Sequence, residues 1–318
     1  MSDETIDLSK PRYPQDTFSG RLHHFIEITN PLNLFAGARE ISEAKTSLEH
    51  YKSGLKKDTA ENLWKAKLLV DSSVHPDTGE VIFFPFRMSA YVPTNLVVTA
   101  GLLLPNPTTA GIIFWQWANQ SVNVAINWAN ANKSTPMSPQ ETGIAYGTAV
   151  AASVGVALGL TSGVKKLNLS PHKAYLMGRC IPFAAVASAS SLNVFLMRRK
   201  EITQGIKVMD KDGNDVGVSK EAGLKAVSQV AASRVITAFP ALVLPPVLMA
   251  KLEKTTLLKN NPRLAMPFNL ALISFSLVTA LPAAIALFPQ IGKLHPKDEA
   301  FKDKYGKQLS EVYYNKGL

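Results

Sequence analysis

The stretch QWANQSVNVAINWANAN (Gln116–Asn132) sets a series of side-chain amides into an apolar background. It ends a longer run, Met88–Asn132, that contains no Asp, Glu, Lys, Arg or His. Such a run is apolar enough for a lipid bilayer, where an amide without a hydrogen-bond partner is costly. The amides in it therefore need an explanation from the rest of the chain.

Charge-free runs recur along the chain beyond Arg87. Of its 318 residues, 18% are charged and 46% are hydrophobic. The other long runs are Thr142–Val164, Cys180–Met197, Leu264–Gly292 and Ala226–Ala250, the last interrupted only by Arg234. A bilayer core of about 30 Å needs roughly 20 helical residues. Several nearly charge-free helices in succession are rare in the alternative, a large soluble core, so the sequence predicts a polytopic membrane protein.

The predicted fold is all-α, with about five transmembrane helices and one broken or interfacial helix. Residues 1–87 form a small, mostly helical soluble region with a hairpin-like turn, 88–292 the transmembrane domain and 293–318 a C-terminal tail. The expected spans lie near Thr108–Trp128, Gly143–Leu160, Arg179–Met197, Val227–Met249 and Pro267–Phe288. Five full crossings would place the two termini on opposite sides of the membrane.

Two prolines divide the first run. Pro105 and Pro107 remove backbone donors and should end a helix there. The expected result is a partial helix, Ser89–Leu104, before the first span.

The soluble region carries one clear helical pattern and one turn. Ile41, Ala44 and Leu48 recur at steps of three and four residues within Glu40–Leu55, which is typical of an amphipathic helix. A second helix is expected over Thr59–Leu69. The turn residues lie in LLVDSSVHPDTGEVIFFPFR, and they are His75, Pro76, Asp77 and Thr78. Local turn structure explains them, and gating or substrate contact is the alternative.

Composition argues against several functions. The net charge is +10, and basic clusters flank the apolar runs, which suits anionic lipid headgroups better than nucleic acid. The chain has one cysteine, Cys180, and its six histidines lack the spacing of a metal site. It has no phosphate-binding loop or nucleophile elbow. We expect no enzyme, no cofactor and no metal. The acidic start, MSDETIDLSK, predicts no cleavable presequence.

The amides of the first span share one helical face. At 3.6 residues per turn they fall within an arc of roughly 100°; they are Gln116, Asn119, Gln120, Asn123, Asn127 and Asn130. One interpretation is interhelical hydrogen bonding, which explains one or two amides. The other is a polar path for a neutral or zwitterionic solute, which explains the whole face.

Two further patterns lie in the membrane half. Small residues recur every four positions through Gly143, Gly147, Ala151, Gly155, Gly159 and Gly163, which predicts close helix packing, with a sliding surface as the alternative. Arg234 interrupts an otherwise apolar span. It could hold a substrate carboxylate or extend its charge towards the headgroups.

The chain resembles the sideroflexins, and the fungal type in particular. The resemblance rests on HPDTGE (His75–Glu80), FWQWANQSVNVAINW (Phe114–Trp128), PFAAVASASSLNVFLMRRKE (Pro182–Glu201) and VYYNKGL (Val312–Leu318). It spans nearly the whole chain.

The resemblance implies a multi-pass protein of the mitochondrial inner membrane that transports serine, and alanine, cysteine or glycine as further substrates. The expected substrate-binding residues are Gln116, Asn119, Gln120, Asn123, Asn127, Asn193 and Arg234. A homo-oligomer or other inner-membrane proteins are possible partners. The alternative function is a non-transporting scaffold or chaperone that helps other membrane proteins assemble.

Overall fold

The structure is a computed structural model. It describes residues 6–8, 10–55, 58–75, 78–129, 138–167, 169–289, 291–295, 301–302, 306 and 308–316. Within these ranges, four side chains lie outside the description, those of Asn127, Pro171, His172 and Leu281.

Three helices form the N-terminal region: α1 (Phe18–Ile28), α2 (Ala38–Lys52) and α3 (Ala60–Ser73). The amphipathic pattern of α2 is confirmed, since Ile41, Ala44 and Leu48 are all buried. Leu48 packs with Leu63 of α3 in a small apolar cluster. The helix ends three residues earlier than expected, and Gly54 follows with a φ of +71°, a conformation that terminates a helix readily because glycine has no Cβ.

The expected hairpin is reduced to a single antiparallel bridge. Val74 pairs with Val81, and the amide of His75 donates to the carbonyl of Glu80 at 2.8 Å. The first apolar run, Leu68–Val70, belongs to α3 instead of a strand. Leu68 and Leu69 are good helix formers, and α3 continues to Ser73, which leaves only the tight turn.

A short buried helix enters the bundle first. A 3₁₀ turn, Met88–Ala90, leads into α4 (Tyr91–Leu102), and α5 (Thr109–Ala129) follows beyond the two prolines. The 12 residues of α4 extend about 18 Å, too short to cross a bilayer alone. Helix α4 packs against α5 and the last helix of the bundle. The partial helix is therefore confirmed.

Four longer helices complete the bundle: α6 (Pro139–Lys166), α7 (Pro171–Met197), α9 (Lys220–Leu252) and α11 (Ala265–Leu287). Among the described residues, these four are long and apolar enough to cross a membrane. Helix α5 has 21 residues, enough in length to span a bilayer, but it carries more side-chain amides and is not among these four. The all-α polytopic fold is confirmed. Two short helices, α8 (Arg199–Gln204) and α10 (Thr256–Asn260), lie in the connections.

A small antiparallel sheet, which the sequence did not reveal, lies at one end of the bundle. Its strands are β1 (Ile206–Met209), β2 (Asp215–Ser219), β3 (Ile291–Leu294) and β4 (Val312–Asn315), in the order β2-β1-β4-β3. Strands β1 and β2 form a hairpin whose turn contains Asp212 and Gly213. Strand β4 joins the C-terminal segment to that hairpin.

Both ends of the described chain meet at this same end of the bundle, which corrects the expectation of opposite sides. Arg21 of α1 donates to the carbonyl of Ala286 in the last turn of α11 at 2.9 Å. Arg198, which follows α7, donates to the carbonyl of Lys316 at 2.6 Å. The short α4 runs from the sheet end into the bundle, and α5 runs back towards the sheet end. The bundle therefore begins and ends at one side.

The centre of the bundle is an apolar cluster shared by five helices. It includes Val98 of α4, Val186 of α7, Leu242 of α9 and Ile273 of α11, with Trp115 and Val122 of α5 packed against it. This cluster fixes which helix faces point inward.

Candidate polar site in the helical bundle

Gln116 and Gln120 of α5 form a hydrogen-bonded group with Ser153 of α6. Their exposed fractions are only 2%, 1% and 0% respectively. The Ser153 hydroxyl donates to Gln116 Oε1 at 2.5 Å and accepts from Gln120 Nε2 at 3.4 Å. This group joins α5 to α6, so two of the six amides hold helices together.

Asn119 has the opposite surroundings. It is 7% exposed, and its Nδ2 is buried without a hydrogen-bond partner among the described residues. Asn119 lies four residues after Trp115 and three before Val122, so it shares their helix face. Because those two residues pack against the central cluster, Asn119 also faces the interior.

Asn193 of α7 presents the complementary group. It is 2% exposed, and its Oδ1 is buried without a partner in the described part of the chain. Asn193 lies seven residues after Val186, a buried member of the central cluster, and therefore on the same face. An acceptor on α7 and a donor on α5 thus both face the core.

Arg234 of α9 adds a positive charge on a third inward face. It lies four residues before Ala238 and seven before Ala241, both of which belong to or pack against the central cluster. The guanidinium is within electrostatic range of Tyr91 and Arg198, neither of which neutralises it. We find no hydrogen bond or ion pair between Arg234 and another described residue.

Antiparallel packing sets Asn193 and Arg234 towards the same end. Val186 of α7 clusters with Leu242 of α9, whereas Val194 clusters with Val230. Residue numbers therefore fall along α9 as they rise along α7. Both polar residues lie beyond the central cluster on the side of the sheet.

The remaining predicted residues are not all in this group. Asn123 is partly buried on α5, one turn beyond Asn119. The side chain of Asn127 and the whole of Asn130 lie outside the description. Ser153 was missed by the sequence interpretation. The signal for it was a second spacing of four, Ala145, Ala149, Ser153 and Ala157, which is the buried face of α6.

The glycine ladder lies on the outside of α6, which corrects its assignment to helix packing. Gly143, Gly147, Gly155 and Gly159 are exposed, and a Cβ added to any of them would meet nothing within 4 Å. Two of them line an open apolar groove of about 510 Å³ with Trp117 of α5. The glycine ladder and the buried face of α6 are offset by two positions, and both consist of small residues. Residue size alone therefore did not show which of them is buried.

The turn residues are held mainly by local contacts. His75 is buried, and its carbonyl accepts from the amide of Gly79 at 2.9 Å. The Thr78 hydroxyl accepts from the amide of Glu80 at 3.3 Å, and Lys45 Nζ donates to the Gly79 carbonyl. Pro76 and Asp77 lie outside the described residues. The contacts attach the turn to α2, and a gating role stays a prediction.

The described residues contain no group of three or more His, Cys, Asp or Glu side chains placed to hold a metal ion. The three inward groups described above, on Asn119, Asn193 and Arg234, are two amides and a guanidinium. These groups donate and accept hydrogen bonds and carry a positive charge, which suits a small solute with both charges.

Apolar spans arranged around inward polar side chains define a polytopic helical membrane protein. The family model of the sideroflexins matches residues 7–318. The chain is 47% identical to "Sideroflexin FSF1" of Saccharomyces cerevisiae over 319 residues, covering 98% of each chain. It is 43% identical to "Sideroflexin-5" of Homo sapiens over 316 residues, covering 98% of the chain and 93% of the human protein. No solved structure matches it. The chain belongs to the sideroflexin family.

Proposed function

We propose that this protein is a transporter of the mitochondrial inner membrane that carries small neutral amino acids, with serine as the principal substrate and alanine, cysteine or glycine as further ones. Transport of this kind uses no cofactor. The family membership supports a membrane protein, and the polar groups facing the core support a zwitterionic solute.

One observation carries the proposal: three inward helix faces present a donor, an acceptor and a cation that lack protein partners. Arg234 would bind the substrate carboxylate, Asn193 Oδ1 the ammonium group, and Asn119 Nδ2 the hydroxyl or a carboxylate oxygen. Buried polar groups are normally hydrogen-bonded, and an ionisable residue inside a membrane span is a candidate functional residue. An amino acid that passes through the bundle would supply hydrogen-bond and charge partners for these groups.

Uptake of labelled serine by proteoliposomes containing only this protein tests the proposal. We expect saturable uptake above that of protein-free liposomes, and a loss of uptake in Arg234→Gln. Arg179→Gln is the matched control, because Arg179 of α7 is paired with Tyr175 (2.8 Å) and Glu253 (3.8 Å) outside the site. Wild-type uptake no greater than that of empty liposomes would refute transport of serine.

A membrane scaffold that helps other proteins assemble is the second candidate. The exposed glycine ladder favours it, because small residues let another helix approach α6 closely. The variant Gly155→Leu distinguishes the two functions. A scaffold would lose its partners in this variant, whereas a transporter would keep its uptake.

A further inference from the structure

The end of the bundle opposite the sheet carries a dense group of exposed cations. The end of α6 and the start of α7 contribute Lys165, Lys166 and Lys173. The last turn of α9 and its connection to α11 contribute Lys251, Lys254, Lys259 and Arg263. We call residues 165–173 and 251–263 the basic end.

Acidic residues do not offset this charge. Glu253 is the only Asp or Glu in the two segments. It accepts a hydrogen bond from Tyr175 at 2.9 Å and lies 3.8 Å from the guanidinium of Arg179. These contacts join the two connections into one surface and use the single carboxylate. The seven cations are left without a balancing charge within the basic end.

Apolar side chains alternate with the cations. Leu167 is 53% exposed, Leu257 50% and Met266 67%. Lysines and arginines beside exposed apolar residues, directly at the ends of membrane spans, fit the boundary between lipid headgroups and acyl chains.

The connection at the other end, residues 198–219, has a different charge balance. It also carries five basic residues, but four acidic residues, Glu201, Asp210, Asp212 and Asp215, nearly cancel them. Two of the pairs are direct, with Arg198 2.6 Å from Glu201 and Lys207 3.3 Å from Asp215. This connection therefore differs from the basic end in net charge more than in its number of cations.

We propose that the basic end binds the phosphate groups of anionic phospholipids, with Leu167 and Leu257 inserted beside the acyl chains. Helix lengths place this end at headgroup depth once α6, α7, α9 and α11 cross the bilayer. Each cation near an anionic membrane surface strengthens lipid binding. The protein therefore collects anionic lipids around one end and not the other. This inference does not depend on amino-acid transport.

Reconstituted full-length protein allows a direct test. Spin-labelled phosphatidylglycerol and phosphatidylcholine are compared for their relative association with the protein. We expect wild type to prefer phosphatidylglycerol, and added salt to reduce the preference by screening. Replacing Lys254 and Lys259 with Gln should lower it about threefold or more.

The matched control replaces Lys207 and Lys211 with Gln at the other end. Both residues are exposed, and the control should retain the wild-type preference. Equal losses in the two double variants would overturn the proposal. So would a wild-type protein without any preference, since an acidic protein segment would then be the better ligand for the cations.

Discussion

Neighbouring amides on α5, less than one turn apart, have opposite surroundings. Gln116 and Gln120 share a serine hydroxyl with α6, whereas Asn119 reaches the core with a buried donor that no described residue accepts. A satisfied amide stabilises the bundle, and an unsatisfied one is costly until something binds it. The difference indicates that one polar face can serve both assembly and recognition.

The largest stability loss is expected when the satisfied group is broken. Ser153→Val removes the donor to Gln116 and the acceptor for Gln120, which leaves two buried amides unpaired. Each such group costs about 1–3 kcal/mol. Thermal unfolding in detergent should show a clear drop, with Ser121→Ala as the control, because Ser121 pairs with Tyr146 in a partly buried position. Equal melting temperatures for Ser153→Val and wild type would mean that the group does not hold α5 to α6.

The buried face and the exposed glycine ladder of α6 provide the next test. Ala149 is fully buried, so Ala149→Leu should overpack the interior at about 1–3 kcal/mol. Gly155→Leu adds its side chain to open space and removes a helix-destabilising glycine, so its melting temperature should stay level or rise slightly. A larger loss for Gly155→Leu than for Ala149→Leu would reverse the assignment of the buried face.

A smaller and pH-dependent effect is expected at Lys316, a buried cation that has found a partner. Its Nζ donates to the carbonyl of Phe288 at 3.1 Å. Burial, with the nearby charges of Arg21 and Arg198, lowers the pKa of Lys316 to about 8. An unfolded lysine has a pKa of about 10.4.

Between these two pKa values the unfolded chain binds more protons, so this group makes the free energy of unfolding rise with pH. Below pH 8 both states are protonated and its contribution is constant. Lys316→Met should therefore gain less in melting temperature than wild type between pH 8 and pH 10. Lys225→Met is the control, because its amine also donates to a backbone carbonyl but is exposed. Identical pH profiles for wild type and Lys316→Met would contradict the assignment.

Much of the fold follows from local pattern. Charge-free runs located the spans, and Pro105 and Pro107 separated α4 from α5. The sheet could not be predicted in this way, because β1 and β4 have four residues each and lie about a hundred positions apart. Strands that short carry too little alternation to be recognised.

The sequence predicted that the amides of α5 share one helix face, but not what each of them contacts. Helical periodicity placed the amides of α5 together, but it does not say which neighbour each amide meets. Ser153 lies among alanines on the buried face of α6, so its hydrogen bonds with Gln116 and Gln120 could not be predicted from the sequence. The inward position of Asn193 depends on packing around Val186, which no local pattern reveals.

The central claim is that the unpartnered amides bind the transported amino acid. Serine uptake by proteoliposomes is measured for Asn119→Leu and Gln120→Leu, two changes on neighbouring residues of one helix. A hydrogen bond lost to the substrate costs about 0.5–1.5 kcal/mol, roughly three- to tenfold in affinity. We predict that Asn119→Leu keeps the wild-type melting temperature and lowers the apparent affinity for serine by that factor, whereas Gln120→Leu lowers the melting temperature. Unchanged serine affinity in a folded Asn119→Leu protein would contradict the claim.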